Sequence, residues 1–290
     1  MHPITKIFCC STLAVGLVGC GGGGGGDPLV QDYFVETPPP DTTTLESLMV
    51  ASSPTKSKDF YLLPDSDDYD NIPQDPLNPL TGAKVEVGKL IYHDPAFATE
   101  GIALRAKTWS CASCHHARAG FKSGMIQGIG EGGEGFGLKG ETRGWFDPEI
   151  GTQDADVQPV TSPTILNVAF QDVMLWNGQL GNASNGIINV GIDPEILMTE
   201  GTPKVANAEG LSGIETQAIA GTGVHRILGF PPELEDSDYY QMLLDAFPEY
   251  SRDELHKSST RAIAAFERTV LANQSPFQLW LRGDTDAMSE

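Results

Sequence analysis

Cysteine is scarce in this chain. Five occur in 290 residues, and three of them, Cys9, Cys10 and Cys20, fall within the first twenty. One pair, Cys111 and Cys114, is left for the body of the chain. That excludes a fold stapled by several disulfides and a four-cysteine zinc site. Basic charge is scarce too, with 18 Lys plus Arg against 39 Asp plus Glu and a formal net charge of −21. Such a surface repels phosphate backbones and anionic lipid, so no nucleic-acid partner is expected, whereas a basic partner is attracted. Alternating strand pairs and internal repeats are also missing, which leaves a mostly helical body with long irregular loops. At 40% apolar residues the chain can still build one large core or two small ones.

The first twenty residues, MHPITKIFCCSTLAVGLVGC, place Lys6 before an apolar run from 7 to 18 and small residues before Cys20. The run is too short to span a bilayer and reads as a secretory signal over residues 1–19. LVGC, residues 17–20, is similar to a bacterial lipobox, in which the cysteine becomes the lipid-bearing first residue of the mature chain. An exported, periplasmic or cell-surface lipoprotein is expected, anchored at a membrane through Cys20 without spanning it. An ordinary signal peptide with an incidental cysteine is the alternative.

Residues 20–80 read as a tether. GGGGGGDPLVQDYFVETPPPDTTT is first flexible and then proline-rich, and it holds too little apolar surface to fold. DSDDYDNIPQDPLNPLTG, residues 65–82, is acidic and proline-broken and reads as a solvated loop. Calcium there is the weaker reading, because the spacing of an EF-hand loop is absent. Ordered structure is expected from about Thr81, whose hydroxyl can cap a helix bearing Val85, Leu90 and Ile91 and ending at Asp94-Pro95.

Residues 120–156 are rich in glycine and read as a long loop lying close to something flat or bulky. In TSPTILNVAF, Ser162 as N-cap and Pro163 at the first position predict a short helix. Residues 182–211 read as an irregular insertion. The clearest helix lies in SRDELHKSSTRAIAAFERTVLANQSP, with Ser251 and Glu254 as a capping box, Leu255, Ile263, Phe266 and Val270 as one stripe, and Pro276 closing it.

The chemistry concentrates in SCASCHHARAGF, residues 110–121. Two thiols three positions apart can each add to a vinyl group of one porphyrin, while the next residue's imidazole reaches the iron. On this chain's own residue frequencies, Cys-x-x-Cys-His arises by chance on the order of two times in a thousand. Cys111, Cys114 and His115 are therefore assigned to one covalent haem c, with His115 as the iron ligand. A zinc site lacks two further ligands, and His116 reads as a surface or loop residue. A strong second ligand such as Met or His would make the domain an electron carrier; an open position would admit peroxide.

Six blocks carry a family resemblance: GKLIYHDPAF (88–97), CASCHHARAGF (111–121), SPTILNVAF (162–170), LWNGQ (175–179), GIETQA (213–218) and AIAAFERTVLANQSPFQLWLRGD (262–284). Their order resembles that of bacterial di-haem cytochrome c peroxidases, specifically the half that carries the peroxidatic haem. The resemblance implies a class I cytochrome c-like haem domain over residues 81–284 that reduces hydrogen peroxide to water. A small cytochrome c or cupredoxin would supply the electrons. It further implies that Trp176 lies between two haems and that Gln217 lines the peroxide pocket.

Where the family carries a proton-moving glutamate about ten residues after that glutamine, this chain reads AGTGVHRIL, so His225 or Arg226 would take its place. Plainer roles remain open: core packing for Trp176, a satisfied buried amide for Gln217, and a backbone-bonded ring for His225. Residues 120–156 contain no histidine to close the iron, which predicts an open or water-bound site unless a methionine such as Met125 occupies it. Residues 285–290 would begin a linker towards a second haem domain; a truncated chain, a split one whose second haem domain is a separate partner, and a form that works with one haem are the open alternatives. The alternative function is a mono-haem electron-transfer lipoprotein.

Overall fold

The structure is a computed structural model that describes residues 44–99, 105–135, 140, 142–145, 156–171, 173–176, 180–181, 210–227 and 230–288. The chain divides into two units, 1–48 and 49–290, and residues 44–48 are the described part of the first. Six α-helices are described: α1 (Leu45–Ser52), α2 (Gly82–His93), α3 (Gly213–Val224), α4 (Asp238–Ala246), α5 (Leu255–Arg268) and α6 (Pro276–Leu281). Among the described residues, strand is confined to two antiparallel pairs of two residues each. β1 (Gly133–Glu134) pairs with β2 (Gly144–Trp145), and β3 (Val173–Met174) with β4 (Leu180–Gly181). The body is thus mostly helical, as the composition and periodicity imply.

Helix α5 is the centre of the second unit. Its capping box forms as the sequence predicts, with Ser251 N–H and Oγ both donating to Glu254 Oε2, at 3.3 and 2.9 Å. Leu255, Ile263, Phe266 and Val270 are all buried. So are Ser258, Ser259, Thr260, Ala262, Ala264 and Ala265, so the helix is enclosed nearly all round. The small residues on it permit close approach. A Cβ placed on Gly88 of α2 would stand 1.8 Å from the Ala262 carbonyl oxygen, so the two helix backbones touch at their crossing. The helix ends at Arg268 and not at Pro276, which instead opens α6 behind the Ser275 cap.

The start of the folded body differs from the sequence reading. α2 begins behind Thr81, whose Oγ1 accepts from Lys84 N–H, and ends at Asp94 as expected. Yet α1 forms 37 residues upstream of α2, and the acidic stretch is not a solvated loop: Ile72, Asp75, Asn78 and Leu80 are buried. Two of those polar groups anchor it. Asp75 Oδ2 accepts from Ser212 N–H (2.6 Å), and Asn78 Nδ2 donates to the Arg261 carbonyl (3.0 Å). TSPTILNVAF is not an α-helix either; only Val168–Phe170 turn, as 3-10, after Asn167 adopts φ 60°. Asn167 Oδ1 instead accepts from Ala272 N–H (2.8 Å), tying the segment to the chain beyond α5.

A buried ion pair joins α5 to α3. Arg268 Nε and Nη2 donate to Glu215 Oε1 (2.9 Å) and Oε2 (2.6 Å), and Nη2 also donates to Ser212 Oγ (2.7 Å). Burial opposes ionisation of Glu215, but Arg268 and Ser212 together hold its carboxyl below the usual carboxylate range.

Candidate haem site

The Cys-x-x-Cys-His segment folds as a 3-10 turn, Cys111–Ser113, with Cys114 N–H donating to the Cys111 carbonyl (3.2 Å). Cys111, Cys114 and His115 open together onto one cavity of about 310 Å³. Neither thiol is in a disulfide. Burial pushes both thiols up to about 12, so they are neutral as they stand. Among the described residues no group of three or more His, Cys, Asp or Glu is gathered to hold a metal ion, calcium included.

His115 is fixed by the loop that follows it. Gly120 and Phe121 are consecutive residues with positive φ, 68° and 55°, which turns the chain back so that the Phe121 carbonyl meets His115 Nδ1 at 3.1 Å. Nδ1 therefore carries a proton, the tautomer whose Nε2 lone pair could ligate a metal. Burial also lowers the pKa of His115, while the Phe121 carbonyl opposes the shift; the imidazole is neutral, as an iron ligand must be. His116 is a correction to the sequence reading. It is buried, with Nε2 2.9 Å from the Ser113 carbonyl, and its ring sits where a Cβ on Gly140 would fall.

The cavity fits a haem by four observations. Its walls are largely apolar, formed by Trp109, Leu180, Ala218, Ile227 and Ile263. Large apolar side chains stand exposed among its lining residues, Val160 at 70% and Val224 at 60%, and a flat apolar ligand would cover them. Ser110 Oγ and Ser162 Oγ line it, buried without a hydrogen-bond partner. Gly128 makes room beside it, since a Cβ there would stand 2.8 Å from Cys114 Sγ.

Gln217 on α3 and His225 at its C-terminal cap line the same cavity, so the structure brings these two together with the haem motif. His225 is held at two points. Its carbonyl accepts from Trp109 Nε1 (2.8 Å), and its Nδ1 lies 2.8 Å from Asp156 Oδ2. Arg226 does not line the cavity. It adopts φ 55°, and its guanidinium donates to Glu131, a buried carboxylate. Trp176 is also outside, fully exposed at 104%, although its neighbour Leu175 is a lining residue. Met125 is not a lining residue. Cys20 lies outside the described residues, as do the signal segment and residues 182–209.

Four functional-site residues escaped the sequence reading. Asp156 orients His225, and Glu131 engages Arg226. Arg143 is buried and donates to the carbonyls of Ile129, Gly130, Gly135 and Thr108, which folds the glycine-rich loop against the cavity. No sequence pattern marks these three. Glu267 lines the cavity from α5, and it did carry a signal: it stands four residues after Ile263, a carboxylate within an apolar stripe.

A helical domain with an apolar cavity, a Cys-x-x-Cys-His turn on its wall and a neutral histidine beside it has the features of a c-type haem-binding domain. The sequence profile of the di-haem cytochrome c peroxidases matches residues 82–286, and the chain belongs to that family. It is 26% identical over 211 residues to the cytochrome c peroxidase Ccp of Escherichia coli (strain K12), covering 73% of this chain and 34% of that protein. To the methylamine utilization protein MauG of Methylorubrum extorquens it is 22% identical over 219 residues, covering 76% and 47%. A solved MauG-like protein associated with microbial copper homeostasis aligns with TM-score 0.43 and 22% identity, over 77% of this chain and 49% of that one. The chain spans about half or less of the length of these curated relatives.

Proposed function

We propose that residues 81–284 form a class I cytochrome c-like haem peroxidase domain, reducing hydrogen peroxide to water with electrons from a small cytochrome c or cupredoxin. The observation that carries this reading is the convergence of Cys111, Cys114, His115, Gln217 and His225 on one cavity. Cys111 and Cys114 would hold one haem c as thioethers, and His115 Nε2 would ligate its iron, which supplies the electron exchange with peroxide. Gln217 offers an amide donor and acceptor to a bound peroxide. His225, with Nδ1 engaged by Asp156, has Nε2 left to take a proton from one oxygen and return it to the other. Arg226 and Glu131 are assigned to hold the turn that carries His225, rather than to touch peroxide. Trp176, exposed beside the lining residue Leu175, is the proposed relay to an electron-bearing partner, including a separate second haem domain.

Export and lipidation at Cys20, with the Gly- and Pro-rich stretch 21–44 linking lipid to body, complete the proposal. No helix among the described residues is long and apolar enough to cross a membrane. The test has two arms on purified protein. Haem that persists through acid-acetone extraction, and is lost in a Cys111→Ser, Cys114→Ser variant, supports thioether attachment. Catalytic oxidation of a reduced small cytochrome on adding peroxide supports the enzyme. A preparation that exchanges electrons without consuming peroxide is an electron carrier, and the peroxidase reading is then wrong.

A further inference from the structure

Glu267 is a carboxyl group on the cavity wall that the reaction scheme above leaves unused. It projects from α5 one turn beyond Ile263, which lines the same cavity. The titratable groups that line the cavity with it are Cys111, Cys114, His115 and His225. Tyr92 on α2 and Cys111 on the haem-motif turn both feel its charge, and Glu215 on α3 repels it. The adjacent Arg268 is directed elsewhere, with Nε and Nη2 on Glu215 and Ser212 and Nη1 on the Pro73 carbonyl. Glu267 thus faces the cavity beside Cys111 with its nearest cation committed to another carboxylate.

We infer that Glu267 is the proton-storing residue of this site, binding a proton as the haem gains an electron and releasing it as the electron leaves. The inference rests on the haem reading of the cavity. The balance is one electron from a one-electron donor to the iron and one proton from water to the Glu267 carboxylate. The added electron lowers the positive charge of the centre, and an anion on the wall is then less favoured. Without haem, burial and the Glu215 carboxylate push Glu267 up to about 8; the positive charge of a ferric centre would oppose that shift, so the carboxyl can lose its proton in the oxidised state and regain it on reduction. Peroxide reduction consumes protons together with electrons. A wall carboxyl that loads with each electron keeps the net charge of an apolar cavity constant through the cycle.

The test is a redox titration of the haem-loaded protein at several pH values, with covalent haem content measured first. The midpoint potential of the wild-type protein is expected to fall as pH rises through the neutral and mildly alkaline range, approaching 59 mV per pH unit, the one-electron equivalent of a tenfold change. Glu267→Gln should remove the slope and raise the potential at alkaline pH, because the anion that favours ferric iron is gone. Infrared difference spectra of the unmutated protein should gain a protonated-carboxyl stretch on reduction, which keeps the test independent of how the variant folds. A flat wild-type profile, a slope that survives Glu267→Gln, or a reduced-minus-oxidised spectrum without that stretch overturns the inference alone. Protein that carries no haem overturns the proposed function, and this inference with it.

Discussion

Asp156→Asn isolates what the carboxylate behind His225 contributes. A hydrogen bond to a charged group is worth about 1.5–3 kcal/mol and a neutral one about 0.5–1.5 kcal/mol, so roughly 1–2 kcal/mol of orientation is lost, a factor of about 5–30 in the competent population. Asparagine can also turn its amide N–H₂ towards Nδ1, which would move the imidazole proton to Nε2 and push the loss to the upper end of that range. Gly130 supplies a second route to the same perturbation. A Cβ there would stand 2.6 Å from Asp156 Oδ2, closer than real contacts allow, so Gly130→Ala displaces the carboxylate without changing its charge. Both variants should keep full covalent haem, yet oxidise a reduced small cytochrome with peroxide about tenfold more slowly than wild type. Because they act through one hydrogen bond, the double variant should be no slower than the worse single one. Turnover within twofold of wild type for Asp156→Asn, or losses that multiply in the double variant, would refute the assignment of Asp156 to positioning His225.

Other outcomes follow from the helical core. Gly88→Ala should lower the unfolding free energy by about 1–3 kcal/mol or more, and the denaturant midpoint with it, since its methyl would fall on the Ala262 backbone; an unchanged midpoint would mean the helices do not touch there. Arg268→Met leaves Glu215 buried without its partner and should cost about 3–5 kcal/mol, whereas the paired change Arg268→Met with Glu215→Leu should recover much of that in thermal melts. Glu267 carries a folded-state pKa raised to about 8 from an ordinary 4.5, so its contribution to stability is complete at acid pH and is lost as pH rises from about 4.5 to 8. Haem-free Glu267→Gln should therefore gain on haem-free wild type across that window, by about 4 kcal/mol at its upper end; parallel pH profiles in urea titrations would contradict the burial of this carboxyl.

The parts of the site that the sequence made legible are those whose chemistry fixes local spacing. The cysteines and His115 are readable because they sit within five residues in the spacing that one porphyrin would require, and α5 is readable because a capping box and a 3.6-residue stripe coincide. Asp156 and Glu131 are not, because each partners a residue 69 or 95 positions away, and no local pattern encodes such a meeting. The expectation of a helix at Ser162 failed for a related reason. A Ser-Pro start is a local preference, and the segment instead surrenders it to cavity lining and to the tertiary bond between Asn167 and Ala272. His116 misled in the opposite direction, because a polar residue beside a ligand reads as exposed until a carbonyl and a glycine are found enclosing it.

These elements meet on α5, and that explains why the cavity wall is as fixed as the core. Ala262 rests on Gly88 of α2, Arg268 grips Glu215 of α3, and Ile263 with Glu267 faces the cavity between those two contacts. α2 reaches the haem motif through Tyr92, whose hydroxyl donates to the His115 carbonyl at 3.4 Å, while α3 carries Gln217 and leads to His225. Any shift of α5 against either neighbour therefore moves a group that faces the haem. Close packing transmits such strain because interiors have few voids to absorb it. The glycine and alanines at the α2 crossing and the buried arginine pair at the α3 crossing thus serve the site as well as the fold. The spectrum of haem-loaded protein should therefore register a substitution at Gly88, one helical turn from the Tyr92 that bonds to the His115 carbonyl.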